Sequence, residues 1–562
     1  MEKSKLTNRT NFFLFILVVV GFVGVFNYIM SKAFVRADLT ANKEYTVSKG
    51  TKKVLRNLDD LVTVKVFISE KNLPPLAMNL TRTIKDLLAE YEAYSRGNLQ
   101  IKYFDPTDDP DQKNEARSLG LQEVPMQIIE KDKQQNVMCF MGLAILYGDK
   151  KEIVPVLNNV GNLEYDLTSR ILKVTRKEVK QVGFFFGNGP HMFMPEGMPP
   201  PQNQGPMQSY NNIKKELQEQ FEVRDVTDLN KGTPIPADIT TLVVAGPKSL
   251  SDREKFEIDQ FMMKGGKVIA LVDAVEIMTQ YGLNASKQAH NTGDLFSSYG
   301  AKVEQNIVAD GRAHASITYQ VNYGGFVLPI STPYPLWVQA IKGGFAKDNP
   351  AVSTLESMTF MWPSSVDITL AKEDSARIKA VPLIQTTRFA KAMDDNFDLN
   401  PRKEWNAFFQ GALKSFNLAV SLSGEFKSFY AGKPIPMVRN EKDTVNKNAM
   451  MPAPSDAGRV IVEKSPKTNF VLIGDSDFLS DGTPRENTVF MTNLVEWLTL
   501  GDNLIGIRSK SVSDRMIDPQ LSPATKSALR IVNTIVMPLL VICIGLFVFL
   551  RRKNLMKKGA DA

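Results

Sequence analysis

The chain has 562 residues, of which 43% are hydrophobic and 23% are charged, so it is long enough for two or three ordinary hydrophobic cores. The formal net charge of +7 would suit a nucleic-acid-binding protein, but most of the basic excess lies in the two terminal tails. The rest of the chain is near neutral, which excludes nucleic-acid binding as the main function. With two cysteines and three histidines, the chain has no disulfide framework and is poor in metal ligands.

An apolar run near each end predicts a membrane-anchoring helix. Residues 11–30 form the first run and residues 529–550 the second, and each covers the hydrocarbon thickness of roughly 30 Å at about 1.5 Å per residue. Clusters of basic residues flank the runs, in the tails 1–10 and 551–562, and basic flanks stay cytoplasmic. The sequence therefore predicts that both termini are cytoplasmic, that the bulk of the chain is extracytoplasmic and that it contacts membrane lipid. A cleaved signal peptide is the alternative for the first run, because Ser31-Lys32-Ala33 resembles a cleavage site.

Residues 31–160 are predicted to form a thioredoxin-like α/β domain. A short helix capped by Ser48 comes first, followed by two strand-helix units and further strands. Val124-Pro125 stands where the thioredoxin-like fold keeps a cis-proline, so Pro125 is a structural cis-proline candidate. Because no Cys-x-x-Cys follows the first strand, the domain is predicted to be a scaffold without redox chemistry. The predicted strands are 61–69, 99–104, 126–129 and 138–147, and the predicted helices are 81–94 and 111–119.

A helix over residues 161–178 is predicted to link this domain to a larger α/β domain over residues 179–508. Strands that alternate with helices indicate right-handed crossovers and a mostly parallel sheet. Between about residues 293 and 464 the alternation is lost, which predicts an α+β insertion. Residues 509–528 form a polar connector to the second apolar run. The predicted strands of the larger domain are 182–187, 223–226, 241–247, 267–273 and 469–474, and its predicted helices are 212–220, 251–263 and 487–498.

Two loops follow predicted parallel strands of the larger domain, where ligands gather in open α/β sheets. Asp475 and Asp477 lie in the second loop and could bind a cation, a hydroxyl-rich ligand or a cationic group. The alternative is that Asp475 caps the next turn and Asp477 pairs locally. The candidate ligand or partner residues of the two loops are Gly187, Asn188, Gly189, His191, Asp475 and Asp477.

The usual catalytic signatures are missing from the sequence. There is no Gly-x4-Gly-Lys-Ser/Thr, no Gly-x-Ser-x-Gly and no His-Glu-x-x-His, so the chain is not predicted to hydrolyse ATP or to carry a catalytic, cofactor or metal site. Residues 191–208 are rich in proline and methionine and are predicted to be an exposed interaction loop. Capture of a soft metal such as copper(I) by this loop is the alternative.

Five short segments, taken in their order and spacing, resemble a known family. They are Tyr45–Thr51, Asp105-Pro106, Val124-Pro125, Tyr165–Ile171 and Ile473–Phe478. The chain resembles the auxiliary component of gliding-motility-type ABC transporters (GldG-like proteins). The resemblance implies two partners, a multi-span ABC permease and a separate cytoplasmic P-loop ATPase. It also implies a glutamine-amidotransferase-like fold for the larger domain, without a catalytic cysteine.

One motif departs from the family pattern. Family members show Gly-His-Gly-Glu where this chain has Gly187-Asn188-Gly189-Pro190. Any function tied to that histidine and acid is therefore not carried over to this chain.

The predicted function is that of a non-enzymatic, membrane-anchored auxiliary subunit of an ABC transporter complex. The location implied is the bacterial inner (cytoplasmic) membrane, with the bulk of the chain in the periplasm. The extracytoplasmic part would recruit or guide substrate, or couple the transporter to envelope partners, and self-association is a further expectation. Two alternatives remain. One is a membrane-tethered extracytoplasmic hydrolase that acts on carbohydrate or peptide through Asp475 and Asp477, and the other is a structural envelope adaptor.

Overall fold

The protein forms two compact units, divided after residue 177. In this computed structural model the described residues are 47–70, 75–130, 133–157, 160–176, 178–194, 208–278, 283–288, 291–324, 326–353, 355–439, 450–501 and 523–536, with the single positions 18, 21, 538, 539 and 545.

The first unit is an α/β domain built around a small sheet. Its strands line up in the order β2-β1-β5-β6, with β1 parallel to β2 and antiparallel to β5. Among the strands that the structure describes, β3 and β4 pair only with each other, as an antiparallel hairpin. The helices are α1 (Lys49–Arg56), α2 (Pro75–Tyr94), α3 (Pro110–Leu119) and α4 (Val160–Thr175), and the strands are β1 (Val62–Ile68), β2 (Leu99–Phe104), β3 (Val124–Glu130), β4 (Lys133–Cys139), β5 (Met141–Tyr147) and β6 (Lys150–Val154).

The cis-proline prediction is wrong. No peptide bond among the described residues is cis, and Pro125 lies in the β3–β4 hairpin rather than directly before the third strand of the sheet, β5. The apolar run from Met138 to Tyr147 misled the prediction because it spans the end of one strand and the whole of the next. The thioredoxin-like assignment of this unit stays a prediction.

The second unit contains a larger, mixed sheet and several small ones. Its helices are α5 (Asn211–Gln218), α6 (Asp252–Met263), α7 (Gly293–Ser298), α8 (Trp405–Phe408), α9 (Arg485–Leu500) and α10 (Pro523–Ile531), with a π-helical turn over Val532–Val536. Its strands are β7 (Gln181–Phe185), β8 (His191–Met192), β9 (Gln208–Ser209), β10 (Glu222–Asp225), β11 (Ile239–Ala245), β12 (Lys267–Leu271), β13 (Val275–Met278), β14 (Asn284–Lys287), β15 (Ala301–Val303), β16 (Ile307–Asp310), β17 (His314–Tyr323), β18 (Phe326–Ile341), β19 (Ser357–Thr359), β20 (Val366–Ile368), β21 (Ile378–Gln385), β22 (Ala390–Met393), β23 (Asn417–Gly424), β24 (Val438–Arg439), β25 (Met450–Met451) and β26 (Thr468–Ile473).

The large sheet has the order β10-β7-β11-β12-β26-β23-β21. Strands β10, β7, β11, β12 and β26 run parallel, as predicted for the elements that alternate with helices. Strands β23 and β21 are antiparallel additions that come from the predicted insertion. The prediction of a mostly parallel sheet is therefore corrected to a mixed sheet. Antiparallel neighbours need no crossover helix, so the loss of alternation in the insertion concealed them.

Both faces of this sheet are covered. Along β11, Val243 packs with α5 and α9 on one face, and Leu242 and Val244 pack with α6 and α7 on the other. Successive side chains of a strand point to opposite faces, so an uninterrupted apolar strand is stable only when both faces are buried. Ser251 caps α6, because its hydroxyl accepts from the Glu254 amide and the Glu254 carboxylate accepts from the Ser251 amide.

The predicted pair of membrane-anchoring helices also requires a correction. Among the residues that the structure describes, no helix is both long and apolar enough to cross a membrane. Apart from single positions and the segment 523–536, the two apolar runs, the connector and both tails lie outside the described residues.

A buried polar cluster joins three helices of the first unit. The Glu164 carboxylate on α4 accepts from the Ser48 amide and the Thr51 hydroxyl at the start of α1, both at 2.7 Å. The Tyr91 hydroxyl on α2 lies 2.9 Å from the Glu164 carbonyl oxygen and 2.6 Å from the Thr168 hydroxyl. Burial and the nearby Glu164 carboxylate raise the pKa of Tyr91 well above its ordinary value. Two of the segments that carried the family resemblance thus meet at one point.

Tyr91→Phe should lower the free energy of unfolding of the first unit by about 1–3 kcal/mol, because it removes a hydroxyl that makes two buried hydrogen bonds. Urea unfolding of the purified chain, followed through a fluorescent label in this unit, measures the change. Tyr103→Phe is the matched control, since Tyr103 is half-exposed. Equal losses in the two variants would show that the cluster contributes nothing specific.

Candidate functional site

The candidate residues of both loops meet at the carboxyl edge of the large sheet. The Gly187–Gly189 loop follows β7, Asp273 follows β12, and the loop that holds Asp475 and Asp477 follows β26. These strands are parallel and lie in the order β7-β11-β12-β26, so their carboxyl ends share one edge. The structure therefore brings together two loops that lie almost 300 residues apart in the sequence.

Ser476 lies at the centre of this edge. Its amide donates to Asp273 Oδ1 at 2.7 Å, and its hydroxyl contacts Asp273 Oδ2 and lies 2.5 Å from His191 Nε2. Its carbonyl oxygen accepts from the Tyr210 hydroxyl at 2.6 Å. Ser476 is fully buried. Its backbone and side chain are thus fixed from three directions.

His191 is held inside the domain rather than on an exposed loop. It lies on the short strand β8, which pairs with β9, and its ring stacks at 4.7 Å from the ring of Tyr210. Its Nε2 is 3.8 Å from Asp477 Oδ1. Gly246, at the end of β11, has a positive φ of 59° and no room for a side chain, because a Cβ there would lie 2.5 Å from the Ser476 hydroxyl oxygen and 2.6 Å from the His191 ring.

Asp475 is a structural carboxylate. Its Oδ2 accepts from the Met361 amide at 2.7 Å and its Oδ1 from the Phe478 amide at 3.2 Å. The second bond reaches the short 3₁₀ turn Asp477–Leu479, whose N-cap residue is Ser476, so Asp475 contacts the turn that it was interpreted to cap. Burial raises its pKa well above the ordinary value, and the nearby Asp477 and Asp273 carboxylates raise it further.

The loop after β7 is fixed against the loop after β11. The Asn188 side chain donates to the Ser249 hydroxyl at 2.9 Å and accepts from the Ser249 amide at 3.0 Å. Gly187 has a positive φ of 56°, and a Cβ on Gly189 would lie 2.2 Å from the Gly246 carbonyl oxygen. Glycine is therefore required at positions 187 and 189 by the backbone itself.

The polar groups at this edge are set in a weakly solvated environment that favours neutral forms. Burial raises the pKa of Asp273, although the two hydrogen bonds from Ser476 oppose this shift. Burial also raises the pKa of Tyr210 well above its ordinary value of 10.0, and Asp273 and Asp477 add to the effect.

His191, Asp273 and Asp477 are the residues at this edge that could hold a metal ion. One donor atom from each lies within 4.8 Å of the other two, and imidazole with carboxylates suits a divalent cation such as Zn²⁺. The Ser476 hydroxyl, however, contacts both the imidazole and the Asp273 carboxylate. A cation that bridged His191 and Asp273 would have to displace this hydroxyl.

The hydrogen bonds around Ser476 also bear on nucleophilic chemistry. With Asp273 ionised, the serine hydroxyl donates its proton to that carboxylate, and the imidazole then donates Nε2–H to the serine oxygen. In an activated serine, the imidazole instead accepts the serine proton. The hydrogen bonds of Ser476 therefore suit a structural link between strand ends better than a catalytic nucleophile.

Comparison with known proteins gives the family. A model of the ABC-type uncharacterized transport system family matches residues 179–498, which is more than half of the chain. The chain belongs to this family. A model of a domain of unknown function matches residues 41–146. An uncharacterized protein of Borreliella burgdorferi (strain ATCC 35210 / DSM 4680 / CIP 102532 / B31) is 24% identical over 537 residues, which cover 92% of this chain and 94% of the relative.

Two solved structures share weaker likeness. A thua-like protein from Bacteroides uniformis ATCC 8492 matches with 8% identity and a TM-score of 0.26, over 58% of this chain and 97% of the other. A β-galactosidase from Rahnella sp. R3 matches with 12% identity and a TM-score of 0.22, over 61% of this chain and 35% of the other. Scores this low carry no argument about fold or function.

Membership of the ABC-type transport family confirms the resemblance at the level of an ABC transport auxiliary protein. The narrower assignment to gliding-motility-type transporters stays a prediction. The matched region contains the whole edge described above, including three residues that the sequence analysis did not select, Asp273, Tyr210 and Ser476. Of these three residues, only Asp273 could have been selected from the sequence, because it follows a buried-strand pattern in the same way as Asp475.

The raised pKa of Asp475 predicts how the second unit responds to pH. The folded state holds the Asp475 proton more tightly than the unfolded state, so the contribution of Asp475 to stability is full below its ordinary pKa of 3.8 and is lost as the pH rises through the raised value. Asp477→Asn removes one cause of that shift, so this decline should end at a lower pH and less stability should be lost in total. Urea unfolding followed by tryptophan fluorescence at several pH values measures it.

Asp367→Asn, on the exposed part of β20, is the control and should leave the pH dependence unchanged. If the decline of Asp477→Asn ends at the same pH as that of the natural chain, the coupling between Asp475 and Asp477 does not exist.

Proposed function

We propose that the protein is a non-enzymatic auxiliary subunit of an ABC transporter complex, which acts beside a multi-span permease and a separate cytoplasmic P-loop ATPase. The family match over residues 179–498 carries this proposal. Because the chain contains no P-loop motif, any energy from ATP would have to come from another subunit.

The geometry of the carboxyl edge supports a binding or scaffolding role. Asp475 is 2% exposed, and both of its carboxylate oxygens accept backbone amides. The hydrolase alternative requires an accessible acid at this position, because a general acid must reach the scissile bond. The hydrolase alternative is therefore less well supported than the auxiliary role.

The proposed location is the outer side of a bacterial inner membrane, where the chain would guide substrate to the permease or couple the permease to envelope partners. The near-neutral charge of the chain between its basic tails fits a surface that binds proteins or neutral substrates rather than nucleic acid. Self-association is compatible with this role.

Affinity isolation from membranes of the native host tests the proposal. The tagged chain should be recovered from the inner-membrane fraction together with an ABC permease and a P-loop ATPase, identified by mass spectrometry. Asp477→Asn should give the same recovery, because this carboxylate contacts groups of its own chain.

Two results would contradict the proposal. Recovery from the cytoplasm alone would exclude the location. Recovery without either ABC protein, combined with carbohydrate or peptide hydrolysis that disappears in Asp475→Asn and Asp477→Asn, would establish the hydrolase.

A further inference from the structure

The second unit carries a hairpin arm, residues 318–331 of strands β17 and β18. The two strands pair in register up to Tyr323 and Phe326, and the chain turns at Gly324, which has a positive φ of 59°. The base of the hairpin is anchored, since Ile317, Tyr334 and Leu336 are buried in one hydrophobic cluster.

Apolar side chains are exposed along the arm. Phe326 is 76% exposed, and Val327, Leu328 and Ile330 are 57%, 51% and 41% exposed. Neighbouring residues of a strand point to opposite faces, so the exposure of Phe326, Val327 and Leu328 in succession means that both faces of the arm are open. Leaving these side chains in water is unfavourable in proportion to their apolar area.

The arm also lacks charge. No Asp, Glu, Lys or Arg occurs between Arg312 and Lys342, although nearly a quarter of the chain is charged. A solvated protein surface normally carries such residues. An uncharged, apolar tip is suited to a medium that accepts no charge, and the hydrocarbon of a lipid bilayer is such a medium.

A cationic side chain, that of Arg402, lies at the level where such an arm would cross the lipid headgroups. The Arg402 guanidinium lies 5.5 Å from the ring of Tyr319, and Tyr319 pairs with Ile330. Four residues separate Tyr319 from the end of β17 at the turn, which is about 13 Å at about 3.3 Å per residue. A guanidinium at the phosphates, on an arm tilted from the bilayer normal, would place the tip near the boundary of headgroups and acyl chains, where aromatic residues concentrate.

We propose that the tip of the hairpin arm, Phe326-Val327-Leu328, inserts into the interfacial layer of a lipid bilayer that contains anionic lipid. Insertion stops at this layer because the outer backbone groups of a two-stranded ribbon still need water. Strand addition along β18 is disfavoured, since Pro329 and Pro333 have no amide hydrogen to donate. The proposal does not depend on the ABC partners.

A fluorescent label on the tip tests the insertion. In the full chain with Cys139→Ala and Cys543→Ala, Phe326→Cys is coupled to an environment-sensitive fluorophore. Vesicles of phosphatidylcholine with phosphatidylglycerol should shift its emission to the blue and raise its intensity several-fold, and bromine-labelled lipid should quench it. Val460→Cys is the matched control, because Val460 is 80% exposed and lies outside the arm, so its label should not respond.

Val327→Asp added to the tip-labelled chain should abolish the quenching, because a charge in the layer is costly, whereas Val460→Asp should leave it intact. A tip label that stays in water with vesicles present would overturn the proposal. A blue shift that depends on protein concentration and is not quenched by the lipid would also overturn it, in favour of contact with a second copy. Neither result bears on recovery of the ABC proteins, so failure of this proposal is separate from failure of the proposed function.

Discussion

The second unit depends on the way in which Ser476 is held at the carboxyl edge of its sheet. Strand β26 lies inside the large sheet, although the chain reaches it only after the long insertion. Ser476, in the loop that follows β26, bonds to Asp273 at the end of the neighbouring strand and to a histidine 285 positions earlier. Tyr210 fixes the same residue through its carbonyl oxygen. The same close approach of the loops leaves no room for a side chain at positions 189 and 246, and position 187 has a positive φ. The glycine-rich character of the edge is thus a consequence of packing.

Buried carboxylates stabilise both units by accepting several hydrogen bonds. Asp259 on α6 is fully buried and accepts from Tyr299, Ser428, Gln260 and the Phe429 amide at 2.7–3.0 Å. It thereby ties the end of the inserted region to the helix. Such groups are stable while every acceptor is occupied and are costly when one donor is lost. Asp475 differs because its close neighbours include two more carboxylates, which make ionisation of the group unfavourable.

Local patterns in the sequence predicted helices and strands well where the apolar residues followed one regular spacing. The strands Leu99–Phe104 and Lys267–Leu271 and the helix Asp252–Met263 were all visible, because their apolar spacing is set by the face that they bury. The pairing of β23 and β21 with the parallel strands was not visible, since partner choice depends on contacts between residues far apart in the chain. The break at Phe140, between β4 and β5, was missed because the last three residues of β4 are as apolar as β5.

At the candidate site, too, local features were predicted and features set by distant contacts were not. Asp475 and Asp477 were found because they follow a buried strand, and the fold brings them to His191 as the parallel arrangement implies. Ser476 was overlooked because a serine in a loop gives no signal until its neighbours are known. The hairpin arm was overlooked for a different reason. Its residues have the composition of buried strands, and the sequence does not reveal that no other part of the described chain covers them.

We propose that the chain works as a bound subunit and not as a free enzyme. Native mass spectrometry of the assembly released from host membranes tests it directly, because the chain has a mass of 62.7 kDa and any partner adds its own. We expect a species that contains this chain together with at least one permease and one P-loop ATPase, which dissociates into these subunits on activation. A species at the mass of the chain alone, or at a multiple of it, would contradict the account.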